Sequence, residues 1–274
     1  MAPTVLVTGS SSGFGRSVAA KFLEVGWNVV ATLRDPGRWT GETSERLLVH
    51  PLDVRDEEAV QAAVARAAEH FGRLDVVVNN AGIGLFAPFE TTPVPMVQEV
   101  FDTNVFGPMH VVRAALPVFR AQGSGRIVNL SSGNATVPMP LQSVYSAAKG
   151  AVYNWSESLA DELTGQNIQV KVVEPGFVPD TNFFAATYAR FTGIPASDVY
   201  SSMIKATLDG FQVEPPPGYL ATSQSVADTI FAAATDETGR LRYRIGSDSE
   251  ELGRARQQPQ AEYEAWRRRF FYAG

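Results

Sequence analysis

The amino-acid sequence predicts a single α/β domain with a doubly wound parallel sheet. Short runs of Val, Ile and Leu recur along the chain, which is typical of strands that are buried on both faces of a parallel sheet. Stretches with helical spacing of apolar residues alternate with these runs and indicate right-handed βαβ units. A glycine-rich turn follows the first run directly. The chain has 274 residues, enough for a sizeable core, and we expect residues 1–274 to form one domain.

Six apolar runs are predicted to be strands. They lie in the segments TVLVT, WNVVATL, LLVHPLDV, LDVVVNNAG, GRIVNLSS and IQVKVVEPG. The first helix is expected over Gly13–Val25, and an alanine-rich helix is expected over Asp56–Phe71. From Pro179 to Tyr219 the pattern becomes irregular. We interpret residues 180–220, approximately, as a substrate lid inserted over the carboxyl edge of the sheet.

Composition narrows the possible classes of function. The formal net charge is −6, which provides no electrostatic attraction to nucleic acid or to an acidic membrane. The chain has no cysteine, so disulfides, thiolate metal sites and a cysteine nucleophile are excluded. His50, His70 and His110 show no metal-ligand spacing, and we interpret them as structural. No signal peptide precedes the first strand, and no apolar stretch approaches the ~20 residues of a membrane span, so we expect a soluble, cytoplasmic protein.

The turn after the first strand reads TGSSSGFG, from Thr8 to Gly15. Gly9 suits the tight turn, Gly13 lets the backbone approach a pyrophosphate, and Gly15 lets the helix pack close to the strand. The new helix offers unpaired N–H groups and the positive end of its dipole to phosphates. A flexible loop that only caps a helix is the alternative. The strand–turn–helix context favours dinucleotide binding.

The end of the second strand bears on the choice of dinucleotide. An acidic residue there would accept a hydrogen bond from the ribose 2′-hydroxyl of NAD(H). Leu33 occupies that position and cannot accept one, whereas Arg34 follows and Arg38 is near in sequence. A guanidinium suits a 2′-phosphate, so NADP(H) is favoured over NAD(H). Asp35 leaves NAD(H) open if the strand ends one residue later, and Arg34 on a solvated surface is the alternative to a phosphate contact.

Tyr145 and Lys149 are four residues apart in the stretch VYSAAKG. On a helix, both side chains rise from one face, with Cβ atoms about 5–6 Å apart. The spacing alone does not distinguish an ordinary helix surface from a phenol and an ammonium group placed to move a proton.

Several motifs in one order make the chain resemble the short-chain dehydrogenase/reductase family, in its short form. They are TGSSSGFG, the Leu52–Asp53–Val54 step, NNAG (Asn79–Gly82), Asn104, IVNLSS (Ile127–Ser132), YSAAK (Tyr145–Lys149) and PG (Pro175–Gly176). Each motif is modest alone, but the order and the spacing are highly specific. The TLRD of the second strand also resembles NADP-preferring members that act on steroids or related lipids.

The resemblance implies a single Rossmann-type doubly wound domain with a seven-stranded parallel sheet. It implies that Asp53 hydrogen-bonds the adenine amino group and that Asn80, Ala81 and Gly82 line the adenine ribose. With Arg34, the residues expected to bind the cofactor are Gly9, Ser11, Ser12, Gly13, Phe14, Gly15, Arg34, Asp53, Val54, Asn80, Ala81, Gly82, Tyr145, Lys149, Pro175, Gly176, Val178 and Thr181.

The resemblance also implies a catalytic tetrad of Asn104, Ser132, Tyr145 and Lys149, with Ser131 as the alternative to Ser132. A free phenol has a pKa near 10, and a nearby ammonium group and a positive nicotinamide would favour the phenolate. We therefore expect a lowered Tyr145 pKa. Tyr145 would exchange the proton of the alcohol or carbonyl, and Ser132 would bond the substrate oxygen. Lys149 would hold the nicotinamide ribose, and the Asn104 backbone would hold a water.

This implied activity is that of an NADP-dependent alcohol dehydrogenase or carbonyl reductase. Two other functional hypotheses remain. One is a redox sensor that binds NADP(H) without turnover, and the other is an epimerase or dehydratase of nucleotide sugars on a related fold. The intact Ser–Tyr–Lys set argues against the sensor, because a sensor has no chemical need for these groups. The chain length and the glycine spacing argue against the epimerase.

One position departs from the family pattern. The family usually has threonine five residues after the proline of PG, where this chain has Asp180 and places Thr181 one residue later. A one-residue insertion would leave Thr181 as a contact of the nicotinamide amide. The backbone of Val178 is less affected.

The predicted lid and the C-terminus are rich in aromatic residues. The lid could enclose a small apolar substrate, or its rings could only pack it onto the sheet; they are Phe183, Phe184, Tyr188, Phe191, Tyr200 and Phe211. Val137, Met139 and Leu141 could line the same pocket. The tail EYEAWRRRFFYAG could be a membrane-surface patch, but packing against the body or a partner subunit is favoured. The resemblance and two long apolar helix faces, Asn104–Arg120 and Tyr145–Leu163, predict a homodimer or homotetramer.

Overall fold

The computed structural model describes residues 1–194, 198–211 and 213–272. Its seven strands form one parallel sheet in the order β3-β2-β1-β4-β5-β6-β7. The strands are β1 Thr4–Thr8, β2 Asn28–Leu33, β3 Leu47–Pro51, β4 Val76–Asn79, β5 Gly125–Leu130, β6 Ile168–Pro175 and β7 Arg242–Ile245. The order reverses between β1 and β4, as in a doubly wound sheet. The predicted fold class is confirmed.

Helices cover both faces of this sheet. They are α1 Gly13–Glu24, α2 Glu57–Phe71, α3 Val94–Phe101, α4 Gly107–Gln122, α5 Gly133–Thr136, α6 Ser143–Glu162, α7 Phe183–Phe191, α8 Ser201–Phe211, α9 Ser223–Thr235, α10 Ser247–Arg256 and α11 Gln260–Tyr272. A π-helical turn, Asp102–Phe106, joins α3 to α4.

The alternation of side chains along the strands divides the core into two layers. Val5 and Val7 of β1 face the layer that contains Phe22 of α1 and Ile230 of α9. Leu6, between them, faces the other layer, which α2, α4 and α6 cover. Phe22 also meets the ring of Phe231 at 5.1 Å, so α1 and α9 pack side by side. Because both faces are buried, the strands carry the near-continuous apolar runs seen in the sequence.

The seventh strand was not among the six runs identified from the residues themselves. In β7, Arg242 and Arg244 alternate with Tyr243 and Ile245, so no apolar run marks the strand. Glu174 of β6 is fully buried and accepts hydrogen bonds from Arg242 Nε at 2.6 Å and Nη2 at 2.8 Å. The ion pair lets charged residues lie in this strand, because each buried charge has a partner.

Three predicted boundaries differ slightly from the structure. β3 ends at Pro51 rather than Val54. α1 ends at Glu24, and α2 begins at Glu57 because the Asp56 carboxylate caps it by accepting from Ala59 N at 3.0 Å.

The expectation of an irregular segment over Pro179–Tyr219 is wrong for most of its described residues. Two helices, α7 and α8, lie there, and we call them the lid. Ile194 is buried in a cluster with Val144, while Phe191 meets Phe86 edge-on at 5.4 Å. These tertiary contacts stabilise short helices whose local sequence signals are weak. Within the expected lid, 195–197 and 212 lie outside the described residues.

The C-terminal helix packs against the body of the protein, as favoured from the sequence. Tyr263 of α11 is buried with Val137 and Leu252, and Arg267 Nη2 donates to Pro138 O at 3.0 Å. Residues 273 and 274 of the tail lie outside the described residues. In the described part of the chain, no helix has the length and apolarity needed to cross a membrane.

Candidate active site

The glycine-rich turn is packed tightly against the loop after β4. A Cβ on Gly9 would lie 2.8 Å from Ala81 Cα, and one on Gly15 would lie 2.3 Å from Gly9 O. Gly9 and Gly13 both have positive φ angles, 70° and 51°. Close packing and backbone conformation thus explain why these positions carry glycine.

The Asn80 side chain ties the two loops together. Its Nδ2 donates to Thr8 O at 2.7 Å and to Gly9 O at 3.1 Å. The Thr8 hydroxyl accepts from Asn80 N and from Ala81 N, each at 3.0 Å. Asn79, the last residue of β4, donates from its Nδ2 to Asn129 Oδ1 on the neighbouring strand β5 at 2.8 Å. The NNAG motif therefore holds the central strand ends in register and fixes the shape of the glycine-rich turn.

The end of β2 lies where the sequence analysis placed it. Leu33 is the last residue of the strand and is buried, whereas Arg34 is exposed. The Asp35 carboxylate accepts from Gly37 N at 3.0 Å, so it caps the short 3₁₀ turn that follows. Asp35, the possible acceptor for the ribose hydroxyl of NAD(H), thus already accepts a hydrogen bond within the protein.

Asp53 is already engaged by a neighbouring side chain. Arg55 Nε and Nη2 donate to its two carboxylate oxygens, at 3.0 and 2.5 Å. These hydrogen bonds are the main reason that the pKa of Asp53 lies below its ordinary value. Arg34 contributes to the same lowering of the pKa, which places its charge near the Asp53 carboxylate.

Tyr145 and Lys149 are both buried on α6, below the carboxyl edge of the sheet. The ammonium nitrogen of Lys149 lies 5.7 Å from the centre of the Tyr145 ring and donates to Leu130 O at 2.8 Å. The hydroxyl of Ser132 hydrogen-bonds the Tyr145 phenol. The structure thus brings together three of the four residues of the predicted tetrad.

Burial shifts the pKa values of both groups towards their neutral forms. It raises the pKa of Tyr145 to about 12, although the hydrogen bond to Ser132 opposes this change. It lowers the pKa of Lys149 to about 8. The expected lowering of the Tyr145 pKa is not produced by these side chains, because desolvation of the phenolate outweighs the hydrogen bond. At neutral pH the phenol therefore carries a proton.

The two adjacent serines have different environments. Ser131 is buried, and its hydroxyl donates to the carbonyl oxygen of Lys149 at 3.0 Å. Ser132 instead faces the phenol and accepts from Asn134 N at 3.2 Å as the N-cap of α5. Ser131 braces the helix, so the geometry favours Ser132 over its alternative.

Asn104, the fourth predicted residue, lies in the π-helical turn. Its side chain accepts from Ile83 N and donates to Ile83 O, both at 2.8 Å. A Cβ on Gly82 would lie 3.3 Å from Asn104 Oδ1 and 3.7 Å from Lys149 Nζ. Asn104 is thus fixed beside Lys149 by backbone hydrogen bonds, and only its backbone remains for the expected water.

The segment after β6 is held by a residue that sequence reasoning missed. Asp248, at the start of α10, accepts from Phe177 N at 2.6 Å. A Cβ on Gly176 would lie 2.1 Å from both of its carboxylate oxygens, which explains the glycine of the PG motif. Asp248 lies 72 positions after Gly176 in the sequence, so no local pattern could have identified it.

Thr181 faces the glycine-rich turn. A Cβ on Gly13 would lie 3.5 Å from Thr181 Cβ. The Thr181 hydroxyl donates to Val178 O at 3.2 Å and accepts from Phe183 N at 3.4 Å. Thr181 therefore links the glycine-rich turn to the first turn of the lid.

The lid aromatics divide between packing and the site. Phe183 lies 5.9 Å from the Tyr145 ring, and a Cβ on Gly84 would lie 2.1 Å from Thr187 Oγ1. Other aromatic residues anchor the lid. Phe191 packs against Phe86, and Phe184 packs against Phe177. The Tyr200 hydroxyl donates to Glu90 at 2.7 Å. The side chain of Phe211 lies outside what the structure describes.

Of the three residues expected to line the pocket from the other side, two lie elsewhere. Val137 is fully buried against α10 and α11, and Met139 packs against the same cluster. Leu141 is buried with a positive φ of 60°, and its carbonyl accepts from Ala87 N at 2.7 Å.

The three histidines fall in no cluster of metal-ligating side chains among the described residues. His110 Nδ1 is hydrogen-bonded to Val54 O at 3.0 Å.

The sheet order and the glycine-rich turn define a Rossmann-type protein. The family model for short chain dehydrogenases matches residues 3–190. The chain belongs to the short-chain dehydrogenase family. Sulfoacetaldehyde reductase 2 of Chromohalobacter salexigens is 35% identical over 252 residues, which are 83% of this chain and 99% of that protein. Oxidoreductase YusZ of Bacillus subtilis is 33% identical over 251 residues, 88% of each chain.

Solved structures show the same fold over nearly the whole chain. A short-chain dehydrogenase from Streptomyces avermitilis matches with a TM-score of 0.83 and 32% identity, covering 98% of this chain and 97% of the other. ElxO with bound NADP matches with a TM-score of 0.74 and 27% identity, covering 92% and 100%. A 3-ketoacyl-(acyl-carrier-protein) reductase from Brucella melitensis, complexed with NADH, matches with a TM-score of 0.73 and 26% identity, covering 90% and 98%.

Proposed function

We propose that this protein is an NADP(H)-dependent oxidoreductase that interconverts a secondary alcohol and a carbonyl, with Tyr145 as the general acid and base. The observation that carries the proposal is the buried Tyr145 phenol, hydrogen-bonded to Ser132 and adjacent to the Lys149 ammonium group. A hydroxyl and a phenol that converge in this way can both bond one substrate oxygen. The family includes proteins named reductases, which supports the same class of chemistry.

The residues around the glycine-rich turn fit a nicotinamide dinucleotide. The N-cap of α1, Ser12, makes no side-chain cap, and the first turn of α1 has no acidic residue. Its N–H groups thus suit a pyrophosphate. Val178 and Thr181 are assigned to the nicotinamide end, and the NNAG loop to the adenine ribose. When bound, the cofactor supplies or accepts the hydride.

NADP(H) is proposed over NAD(H) on the basis of the end of β2. Structural relatives contain NADP in one case and NADH in another, so family membership leaves the choice to local residues. Arg34 is exposed and has no ion-pair partner within the described part of the chain, while Leu33 offers no acceptor to a ribose hydroxyl. A guanidinium at this place suits the 2′-phosphate.

In the reduction direction, Tyr145 donates its phenolic proton to the carbonyl oxygen of the substrate. Ser132 donates a hydrogen bond to the same oxygen, which is where negative charge develops. The positive charge of Lys149 stabilises the phenolate that remains once the proton has left. The raised pKa of Tyr145, about 12, keeps the proton on the phenol until a carbonyl oxygen is present.

The entrance to this site supports a small, apolar substrate. Phe183 lies above Tyr145, and Leu85 and Val144 of the neighbouring cluster are buried. Apolar walls around a few converging polar groups are the usual composition of a small-molecule site.

A panel of ketones, aldehydes and secondary alcohols, followed by NADPH absorbance, tests the proposal. We expect turnover of apolar carbonyls with NADPH. Tight NADP(H) binding with no turnover across the panel would favour the redox sensor. Conversion of a nucleotide sugar seen by chromatography, without net change in NADPH absorbance, would favour the epimerase or dehydratase.

We also propose a cytoplasmic homodimer or homotetramer, supported by exposed apolar side chains on the helix faces predicted to pair. Phe106, just before α4, is 49% exposed, and Met109 of α4 and Trp155 of α6 are partly exposed. Light scattering at micromolar concentration is expected to report the mass of two or four chains. A mass corresponding to one chain of 29.6 kDa would contradict this prediction.

A further inference from the structure

The chain between β6 and the lid has two fixed points. The first is Phe177, held by Asp248, with Gly176 N also donating to Ile245 O at 3.0 Å. The second is Thr181, which lies against Gly13 and hydrogen-bonds the first turn of the lid. Val178, Pro179 and Asp180 span the distance between these points. The conformation of this short stretch therefore sets where Thr181 lies.

Asp180 is the residue that turns outward in this stretch. Both of its carboxylate oxygens accept from Ser223 N at 3.0 Å, and one accepts from Ser223 Oγ at 2.9 Å. Ser223 is the first residue of α9, and the α9 N-terminus is separately capped by the Thr222 and Ser225 side chains. The carboxylate thus adds a charge-assisted hydrogen bond at the positive end of the α9 dipole.

The anchor belongs to the same rigid layer as the cofactor loop. α9 packs beside α1, the helix that begins in the glycine-rich turn, through Phe22 and Phe231 and through an ion pair of Lys21 with Asp228 at 3.1 Å. Asp180 therefore fixes the chain immediately before Thr181 to the body that carries Gly13. An exposed side chain with three hydrogen bonds to one residue is more constrained than a solvated surface carboxylate.

We infer that Asp180 is a positioning residue: it holds Thr181 against the glycine-rich turn and sets the first turn of the lid above Tyr145. The inference rests on the proposed function, in which Thr181 meets the nicotinamide end of the cofactor. Asp180 thus acts through its hydrogen bonds to Ser223 rather than through a contact with the cofactor.

The test is a double-mutant cycle in the full-length protein, read by the dissociation constant of NADPH from its fluorescence and by kcat and KM. Asp180→Ala should weaken NADPH binding about tenfold, the effect of one charge-assisted hydrogen bond. Asp180→Asn should bind within about threefold of wild type, because its amide oxygen still accepts from Ser223 N. Thr181→Val removes the hydroxyl alone. The double variant Asp180→Ala/Thr181→Val should bind about as weakly as the weaker single variant.

Asp161→Ala is the matched control, since Asp161 is an exposed aspartate in the last turn of α6, and it should bind NADPH as wild type does. Wild-type affinity in Asp180→Ala, or additive losses in the double variant, would overturn the inference. Loss of binding through unfolding, seen by circular dichroism in both Asp180→Ala and Asp180→Asn, would also overturn it. If wild type binds neither NADPH nor NADH, the proposed function fails, and the inference fails with it.

Discussion

Two regions face each other at the candidate active site: the platform, formed by Ser132, Tyr145 and Lys149, and the lid. On the platform, Tyr145 and Lys149 are 8% and 6% exposed, and backbone hydrogen bonds brace the elements that carry them. In the lid, Phe183 and Tyr188 are each 42% exposed. The platform therefore has a fixed geometry, which the proposed proton transfer requires. The lid has few buried contacts, as the proposed role of admitting substrate requires.

The lid depends on a small number of attachments. Arg190 of α7 donates to Glu99 of α3, and Glu99 also lies 4.0 Å from Arg55, the partner of Asp53. Phe191 and Ile194 supply the apolar contacts. The candidate catalytic groups and the candidate substrate-facing groups are thus stabilised by different means, and mutations should separate their effects.

Apart from loss of the Tyr145 phenol itself, Lys149→Met should have the largest effect on activity. We expect kcat/KM to fall roughly hundredfold or more, because the charge that supports the phenolate is lost. Lys205→Met, on an exposed face of α8, is the control and should remain near wild type, because Lys205 forms a solvent-exposed pair with Asp209. Steady-state rates of NADPH-dependent reduction measure both. A loss of less than tenfold in Lys149→Met would place the proton chemistry elsewhere.

The same variant gives a sign for the dependence of stability on pH. The pKa of Lys149 is lowered by burial to about 8 from 10.5, so between these values the unfolded chain binds more protons than the folded one. The contribution of this group to the free energy of unfolding therefore rises with pH through that window. Tyr145, whose pKa is raised, lowers stability only above about pH 10. From pH 7.5 to 9.5, wild type should gain about 2 kcal/mol relative to Lys149→Met in urea unfolding.

The sequence predicted that the platform residues lie close together, as they do in the structure, and the reason is physical. Tyr145 and Lys149 lie on one helix, Ser132 ends a buried strand run, and the glycines occupy positions with positive φ or close backbone contact. These requirements act over a few residues, so they leave local patterns. The six strands with apolar runs could be predicted for a similar reason, because burial on both faces of the sheet produces such runs.

The remainder depends on contacts that are distant in sequence. β7 could not be predicted from its own residues, because the charges of its arginines are neutralised by Glu174, some 70 residues away. Asp248 and Asp180 act on backbone groups of other elements, and an isolated aspartate gives no signal of this. The lid helices were missed because Phe86, Glu99 and the Ile194 cluster stabilise them from outside.

The cofactor end should respond by about tenfold to hundredfold, the worth of a charge-assisted hydrogen bond to a phosphate. Arg34→Ala should weaken NADP(H) binding and leave NAD(H) nearly unchanged. Leu33→Asp should reverse the preference, because the carboxylate accepts from the ribose of NAD(H) and repels the 2′-phosphate. Dissociation constants of both cofactors decide this. Tighter binding of NAD(H) by wild type would mean that another acceptor serves the ribose.

Loosening the lid should have the smallest effect. Arg190→Gln removes the ion pair with Glu99, and the KM for the carbonyl substrate should rise about two- to fivefold with little change in kcat, since a partly exposed pair contributes little. Lys205→Gln breaks the exposed pair within α8 and should leave KM unchanged. If kcat fell as strongly as in Lys149→Met, the lid would belong to the chemistry rather than to substrate access.

The most direct test of the account compares two tyrosines on the same helix. Tyr145 is the buried phenol at Ser132, while Tyr153, two turns further along α6, bonds only the exposed Glu157 through its hydroxyl among the described residues. Tyr145→Phe should lower kcat/KM for carbonyl reduction about thousandfold and leave the dissociation constant of NADPH within about threefold of wild type. Tyr153→Phe should retain full activity. Activity of Tyr145→Phe within tenfold of wild type would contradict the assignment of the proton to this phenol.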